Sequence, residues 1–60
     1  MMTLDERIAW AEDMGWDYEV FETTDDQLCL QAWDDMARTM YEWAYTKDGK
    51  QADEECIYTY

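Results

Sequence analysis

The sixty-residue chain carries 16 Asp and Glu against 4 Lys and Arg, a formal net charge of −12. That length allows one domain, residues 1–60, and so short a chain buries only about 60% of the surface its unfolded form exposes. Charge of this sign repels nucleic acid and anionic membranes and attracts basic protein surfaces.

The apolar resource is aromatic: four Trp, five Tyr and one Phe. Such rings bury roughly 150–250 Å² each, and a chain of this size cannot enclose all of them. Some therefore stand at the surface, where Tyr and Trp suit contacts with a partner.

Thr3-Leu4-Asp5-Glu6 matches a capping box, in which Thr3 accepts from the first helical turn and Glu6 reaches back to Thr3. A helix is expected from about Leu4 to Met14, with Leu4, Ile8 and Ala11 forming an apolar stripe and Gly15 as its stop. Asp5 and Glu6 suit the positive end of the helix dipole, whereas Glu12 and Asp13 sit at the wrong end for it. Trp16 to Glu22 reads as a first strand, with Tyr18 and Val20 on one face and Asp17, Glu19 and Phe21 on the other. Thr23-Thr24-Asp25-Asp26 is a turn. Leu28 to Trp33 is a second strand, its faces Leu28, Leu30, Ala32 and Cys29, Gln31, Trp33. Asp34-Asp35-Met36-Ala37 makes the next connection.

Arg38 to Tyr45 is the central strand. Thr39, Tyr41, Trp43 and Tyr45 share one face and suit a pleated surface. Lys47-Asp48-Gly49-Lys50 carries the Asp-Gly hairpin signal, and a fourth strand is expected over Glu55 to Tyr60. The fold class is α+β, one N-terminal helix packed on a small antiparallel β-meander of three to four strands. The rival is a single helix over 26–45, because Cys29, Trp33, Met36, Met40 and Trp43 also recur at helical spacing. The Thr-Tyr-Trp-Tyr alternation, the Leu-x-Leu pair and the Asp-Asp turns favour strands.

Chemistry is poorly supplied. The chain has no Ser and no His, so neither Cys29 nor Cys56 has an imidazole to take its proton. Catalysis is not expected. Asp25-Asp26, Asp34-Asp35 and Asp53-Glu54-Glu55 would attract divalent cations weakly, but none follows an EF-hand loop, and two cysteines do not make a structural zinc site. No metal or cofactor is expected. The N-terminus lacks a signal peptide's apolar region and no apolar run approaches membrane length. A cytoplasmic protein with reduced cysteines is the expectation.

Four basic residues cannot hold a phosphate backbone. Carboxylates held in rows can instead occupy a site built for phosphates. The residues expected to do so are Asp5, Glu6, Glu12, Asp13, Asp17, Glu19, Asp25, Asp26, Asp34 and Asp35, with Tyr58 and Tyr60 as aromatic contacts. The expected partner is a basic nucleic-acid-binding protein, not nucleic acid or membrane. In size, charge and helix-then-meander order, the chain resembles the small acidic proteins that phages use against host defences. These include anti-restriction proteins, anti-CRISPR proteins and uracil-DNA glycosylase inhibitors. The resemblance implies an inhibitor acting as a DNA mimic and carries over no individual residue. The alternative is a protein-interaction module or homo-oligomer with an aromatic surface, its acidity serving solubility alone.

Overall fold

The structure is a computed structural model that describes residues 2–52 and 55–60. Helix α1 (Leu4–Asp13) is followed by β1 (Asp17–Glu22), β2 (Leu28–Asp34), β3 (Thr39–Tyr45) and β4 (Cys56–Thr59). The strands form one antiparallel sheet in the order β1-β2-β3-β4. The fold is the expected α+β meander with an N-terminal helix, and the single helix over 26–45 does not form.

Local chemistry fixes the helix at both ends. The Thr3 hydroxyl accepts from the Glu6 N–H at 3.2 Å, and the Glu6 carboxylate accepts from the Thr3 N–H at 2.8 Å. This capping box holds the Glu6 carboxyl below its ordinary value, mainly through the Thr3 backbone. At the other end Gly15 has φ +76, a conformation that costs L side chains about 1–2 kcal/mol. Its N–H donates to the Glu12 carbonyl, and the Trp16 N–H donates to Ala11. These two bonds form a Schellman stop. The helix ends one residue earlier than its apolar stripe suggested, with Met14 as its cap.

The hairpins use side chains where glycine is usual. Asp26 and Arg38 both adopt left-handed backbone, with φ 60 and φ 53. In the β1–β2 turn the Thr23 hydroxyl accepts from the N–H groups of Asp25 and Gln27, and Lys47 bridges Glu22 (3.2 Å) and Asp26 (3.0 Å). In the β2–β3 turn an Asp34 carboxylate oxygen accepts from the Ala37 N–H. Arg38 donates from Nε to the carbonyl of Tyr60 and accepts at its own carbonyl from the Tyr60 N–H. The chain end is thereby laced to the hairpin. After β3, the Asp-Gly turn closes through the Thr46 and Lys50 backbones, with Gly49 at φ +88. A bridge between Tyr45 and Gln51 follows before β4 begins.

The register sorts the sheet into two faces. Leu28 lies opposite Tyr45, Leu30 opposite Trp43 and Ala32 opposite Tyr41. These residues face the helix, and Ala11, Leu30, Ala32, Trp43 and Tyr45 are fully buried. Leu4, Ile8, Trp10, Trp16, Leu28 and Tyr41 pack around them. Trp16 stacks on Tyr41 at 5.0 Å and Tyr41 on Trp43 at 5.8 Å, while Trp10 meets Trp16 and Trp43 edge-on at 4.9 and 6.1 Å. Offset and edge-on pairs add about 0.5–1.5 kcal/mol each beyond area burial. The Trp43 indole N–H would be costly to bury unpaired, and it donates to Glu55 at 2.9 Å.

A ten-residue helix is about 15 Å long and 10–12 Å wide, and four strands span roughly 14 Å from first to last. The helix therefore covers the middle of the sheet and leaves its flanks open. Every residue of β1 and of β4 is exposed. Ile57, opposite Tyr41 on the helix side, is 58% exposed.

Trp43→Ala should unfold the domain. Truncating a buried Trp costs about 3–5 kcal/mol, against a total of about 3–9 kcal/mol on the usual per-residue scale for a chain of this size. Circular dichroism on heating checks this; a cooperative transition at the parent temperature would contradict the central place of Trp43.

Candidate functional site

Most of the acidic residues lie towards one end of the molecule or the other, with Glu42 midway along the sheet. Glu12 and Asp13 close the helix, Asp17 opens β1 and Asp34 closes β2. The three-residue link 14–16 joins the helix end to β1, and Asp17 pairs with Trp33, the residue before Asp34. Glu12, Asp13, Asp17, Asp34 and Asp35 therefore share one end, with Glu19 just inside it. The carbonyl end of the helix dipole points there too and adds to the negative potential. The basic residue at this end is Arg38, which is tied to the Tyr60 carbonyl.

Partners hold part of this pole in place. The Tyr18 hydroxyl donates to Glu12 at 3.0 Å and joins helix to sheet. The Tyr60 hydroxyl donates to Asp35 at 2.7 Å. Asp13, Asp17 and Glu19 have no side-chain partner among the described residues, and each is exposed. Three carboxylates without a side-chain partner therefore stand beside three that are held, Glu12, Asp35 and, through the Ala37 N–H, Asp34.

Asp5, Glu6, Asp25 and Asp26 lie at the opposite end. The Leu4 N–H donates to the Gly49 carbonyl, placing the helix start against the 46–50 turn. Lys47 is also there, offsetting Glu22 and Asp26, so the charge is mixed. A recess of about 330 Å³ is lined by Thr3, Leu4, Asp5, Lys47, Asp48 and Gly49. The ten acids expected to act together thus fall into six gathered round Arg38 at one end and four at the other, where Glu22, Asp48, Lys47 and Lys50 also lie; both ends are net negative. Spacing along the chain does not reveal this, because the turns decide which acids become neighbours.

Three of the four basic residues, Arg7, Arg38 and Lys47, are spent on architecture. Arg7 lies under the helix with its guanidinium carbon 4.5 Å from the Trp43 ring centre and 5.6 Å from that of Trp10. It donates to the Tyr45 hydroxyl at 3.2 Å and to Gln51 at 3.3 Å. Among the described residues the only ion pairs are those of Lys47.

Tyr58 and Tyr60, the expected aromatic contacts, are each 48% exposed. Tyr60 belongs to the anionic end. Tyr58 faces away from the helix, opposite Met40. That open face also carries residues not singled out from the sequence as contacts: Phe21, Trp33, Met40 and Glu42. Strand alternation places them together, but only the register shows that the helix leaves this side bare.

Cys29 and Cys56 are both free. They share the open face two strands and one row apart, roughly 11–12 Å by strand spacing and rise, beyond the usual Cα separation of at most ~6.8 Å for a disulfide. Burial, with help from Glu42, pushes the Cys29 thiol up to about 11. Among the described residues no three Cys, Asp or Glu side chains gather into a metal-binding group, and no helix is long and apolar enough to cross a membrane. Asp53 and Glu54, two of the three acids expected to attract a cation beside Glu55, lie outside the described residues. Compared with protein-family models, curated proteins and solved structures, the chain matches none.

Two predictions follow from these environments. Iodoacetamide near pH 8 should alkylate exposed Cys56 in the native protein and reach Cys29 only after denaturation; mass spectrometry counts the adducts, and rapid double labelling would contradict the burial. Stability should also fall in alkali. The Tyr18 and Tyr60 hydroxyls are held up by their bonds to Glu12 and Asp35, Tyr58 by the charges of Cys56 and Glu42, and Lys47 by Asp26 and Glu22. Groups raised on folding stabilise fully below their unfolded values, 10.0 for Tyr and 10.5 for Lys. That contribution is lost as pH rises through the folded values. Melting temperature against pH, with tyrosinate absorbance alongside, measures it.

Proposed function

We propose that this protein is a small acidic inhibitor that mimics nucleic-acid charge and occupies the phosphate-binding surface of a basic nucleic-acid-handling protein. The observation that carries this reading is the anionic end built from Glu12, Asp13, Asp17, Glu19, Asp34 and Asp35. A solvated surface needs charge, but it does not need six carboxylates gathered round a single arginine on a braced scaffold. Glu12 and Asp13 also sit where the helix dipole penalises them. Keeping them there costs stability and strengthens the local field, which is the exchange a decoy makes.

The mode of action is competitive. The anionic end accelerates encounter with a cationic groove. Once seated, its carboxylates accept the hydrogen bonds that Lys and Arg would give to phosphate. No bond is made or broken, and no cofactor is needed. The setting is the cytoplasm, a host cell's if a phage encodes the protein, and the role is anti-restriction, anti-CRISPR or glycosylase inhibition.

Affinity capture from host lysate at low salt and at ~0.5 M salt, followed by mass spectrometry, should retrieve basic nucleic-acid-binding proteins that added duplex DNA displaces. Retention indifferent to both salt and DNA would overturn the reading. With the captured protein in hand, D13K/D17K/E19K should slow association at least tenfold at ~50 mM salt. D25K, at the mixed end, should change it much less. Equal rates for the two variants would place recognition elsewhere.

A further inference from the structure

The sheet face turned away from the helix is laid out in three rows by the register. Nearest the anionic end stand Asp17, Trp33, Met40 and Tyr58, one from each strand. The next row is Glu19, Gln31, Glu42 and Cys56, and the third is Phe21, Cys29 and Ala44. Rows two residues apart along a strand are separated by about 6.6–6.8 Å. The face is thus an apolar row, a carboxylate row and a second apolar row. None of the eleven residues in these rows is Lys or Arg.

Its outer strands are exposed, and its middle strands are half-buried, with Cys29 buried. Phe21 is 40% exposed and Tyr58 48%. Glu42 lies midway across, and its carboxylate accepts from the Gln31 amide at 3.0 Å, which fixes its direction in the row. Glu19 has no side-chain partner among the described residues. The first apolar row begins at Asp17, so the face continues directly from the anionic end.

We infer that this open sheet face is the docking surface for a cationic, apolar-flanked segment of the partner protein. Lys or Arg side chains of that segment meet Glu19 and Glu42, and apolar side chains on either side rest on Trp33, Met40 and Tyr58 and on Phe21. Charge complementarity selects this occupant. A second copy of the chain would bring the two carboxylate rows together, each from a molecule of charge −12. The inference deepens the function proposed above and rests on it for one point, that the partner is basic. It adds where the partner sits and what holds it. The anionic end steers the approach, and the aromatic rows supply the contacts that slow release.

The test uses the ¹⁵N-labelled full chain and two synthetic peptides of equal length, hexalysine and an alternating Lys-Leu hexamer. The Lys-Leu peptide should bind at least tenfold more tightly, despite its lower charge. Its shift perturbations should centre on Glu19, Gln31, Trp33, Glu42 and Tyr58. Y58A and E19Q, both at exposed positions that leave the core untouched, should each weaken it at least threefold. D25N, at the mixed end and off this face, should change it much less. Tighter binding of hexalysine, perturbations confined to the helix end and turns, or self-association of the labelled chain through this face would each overturn the inference. The two proposals fail separately. Loss of DNA competition with the peptide map intact removes the mimicry alone. DNA competition with a map that misses the face removes the docking surface alone.

Discussion

Everything in this molecule depends on the contact between one short helix and the aromatic side of β3. Trp43 lies at its centre, fully buried, with Tyr41 stacked beside it and Trp10 edge-on. Arg7 lays its guanidinium over the same ring and hydrogen-bonds Tyr45. A planar cation against an indole face is attracted by the ring quadrupole and is less hydrated than an ammonium. It therefore enters a largely aromatic layer at lower cost than Lys would. The helix is anchored over the centre of the sheet by rings and one cation, not by a broad aliphatic core.

That economy shapes the surface. With the helix able to cover only the middle of one face, both edge strands and much of the opposite face remain accessible, Cys29 excepted. Edge strands invite pairing with other chains, and charge is a common guard against it. Asp17, Glu19 and Glu22 on β1 serve that purpose whatever else they do. Meanwhile three of the basic residues are committed internally: Arg7 to the core, Arg38 to the chain end and Lys47 to the neighbouring hairpin. Arg7 and Lys47 are held away from the anionic end, where Arg38 is the one cation. The local electrostatics thus reflect where the cations are needed to hold the fold, as well as the excess of acids.

Much of the architecture was legible residue by residue. Thr3 and Glu6 announced the helix start and Gly15 its stop, because caps are satisfied within a few residues. Thr39, Tyr41, Trp43 and Tyr45 announced the central strand, because alternation is a property of one strand. The rival helix over 26–45 had matching spacing but had to run through Asp34-Asp35 and Arg38, where the chain turns. Trp33 and Trp43 looked equivalent in the sequence. The register puts them on opposite faces, so one is core and the other belongs to the open surface.

The sequence by itself determined the elements, their order, the two faces of each strand and the excess of negative charge, since all of these follow from local spacing and composition. Only the tertiary structure decided which side of the sheet the helix covers, that Asp34 and Asp35 join Glu12, Asp13 and Asp17, and that Lys47 withdraws Glu22 and Asp26 from the acidic set. The physical reason is that charge adds up in space. Which carboxylates share a field is set by the turns and by strand pairing, and residues far apart in the chain become neighbours only when the sheet closes.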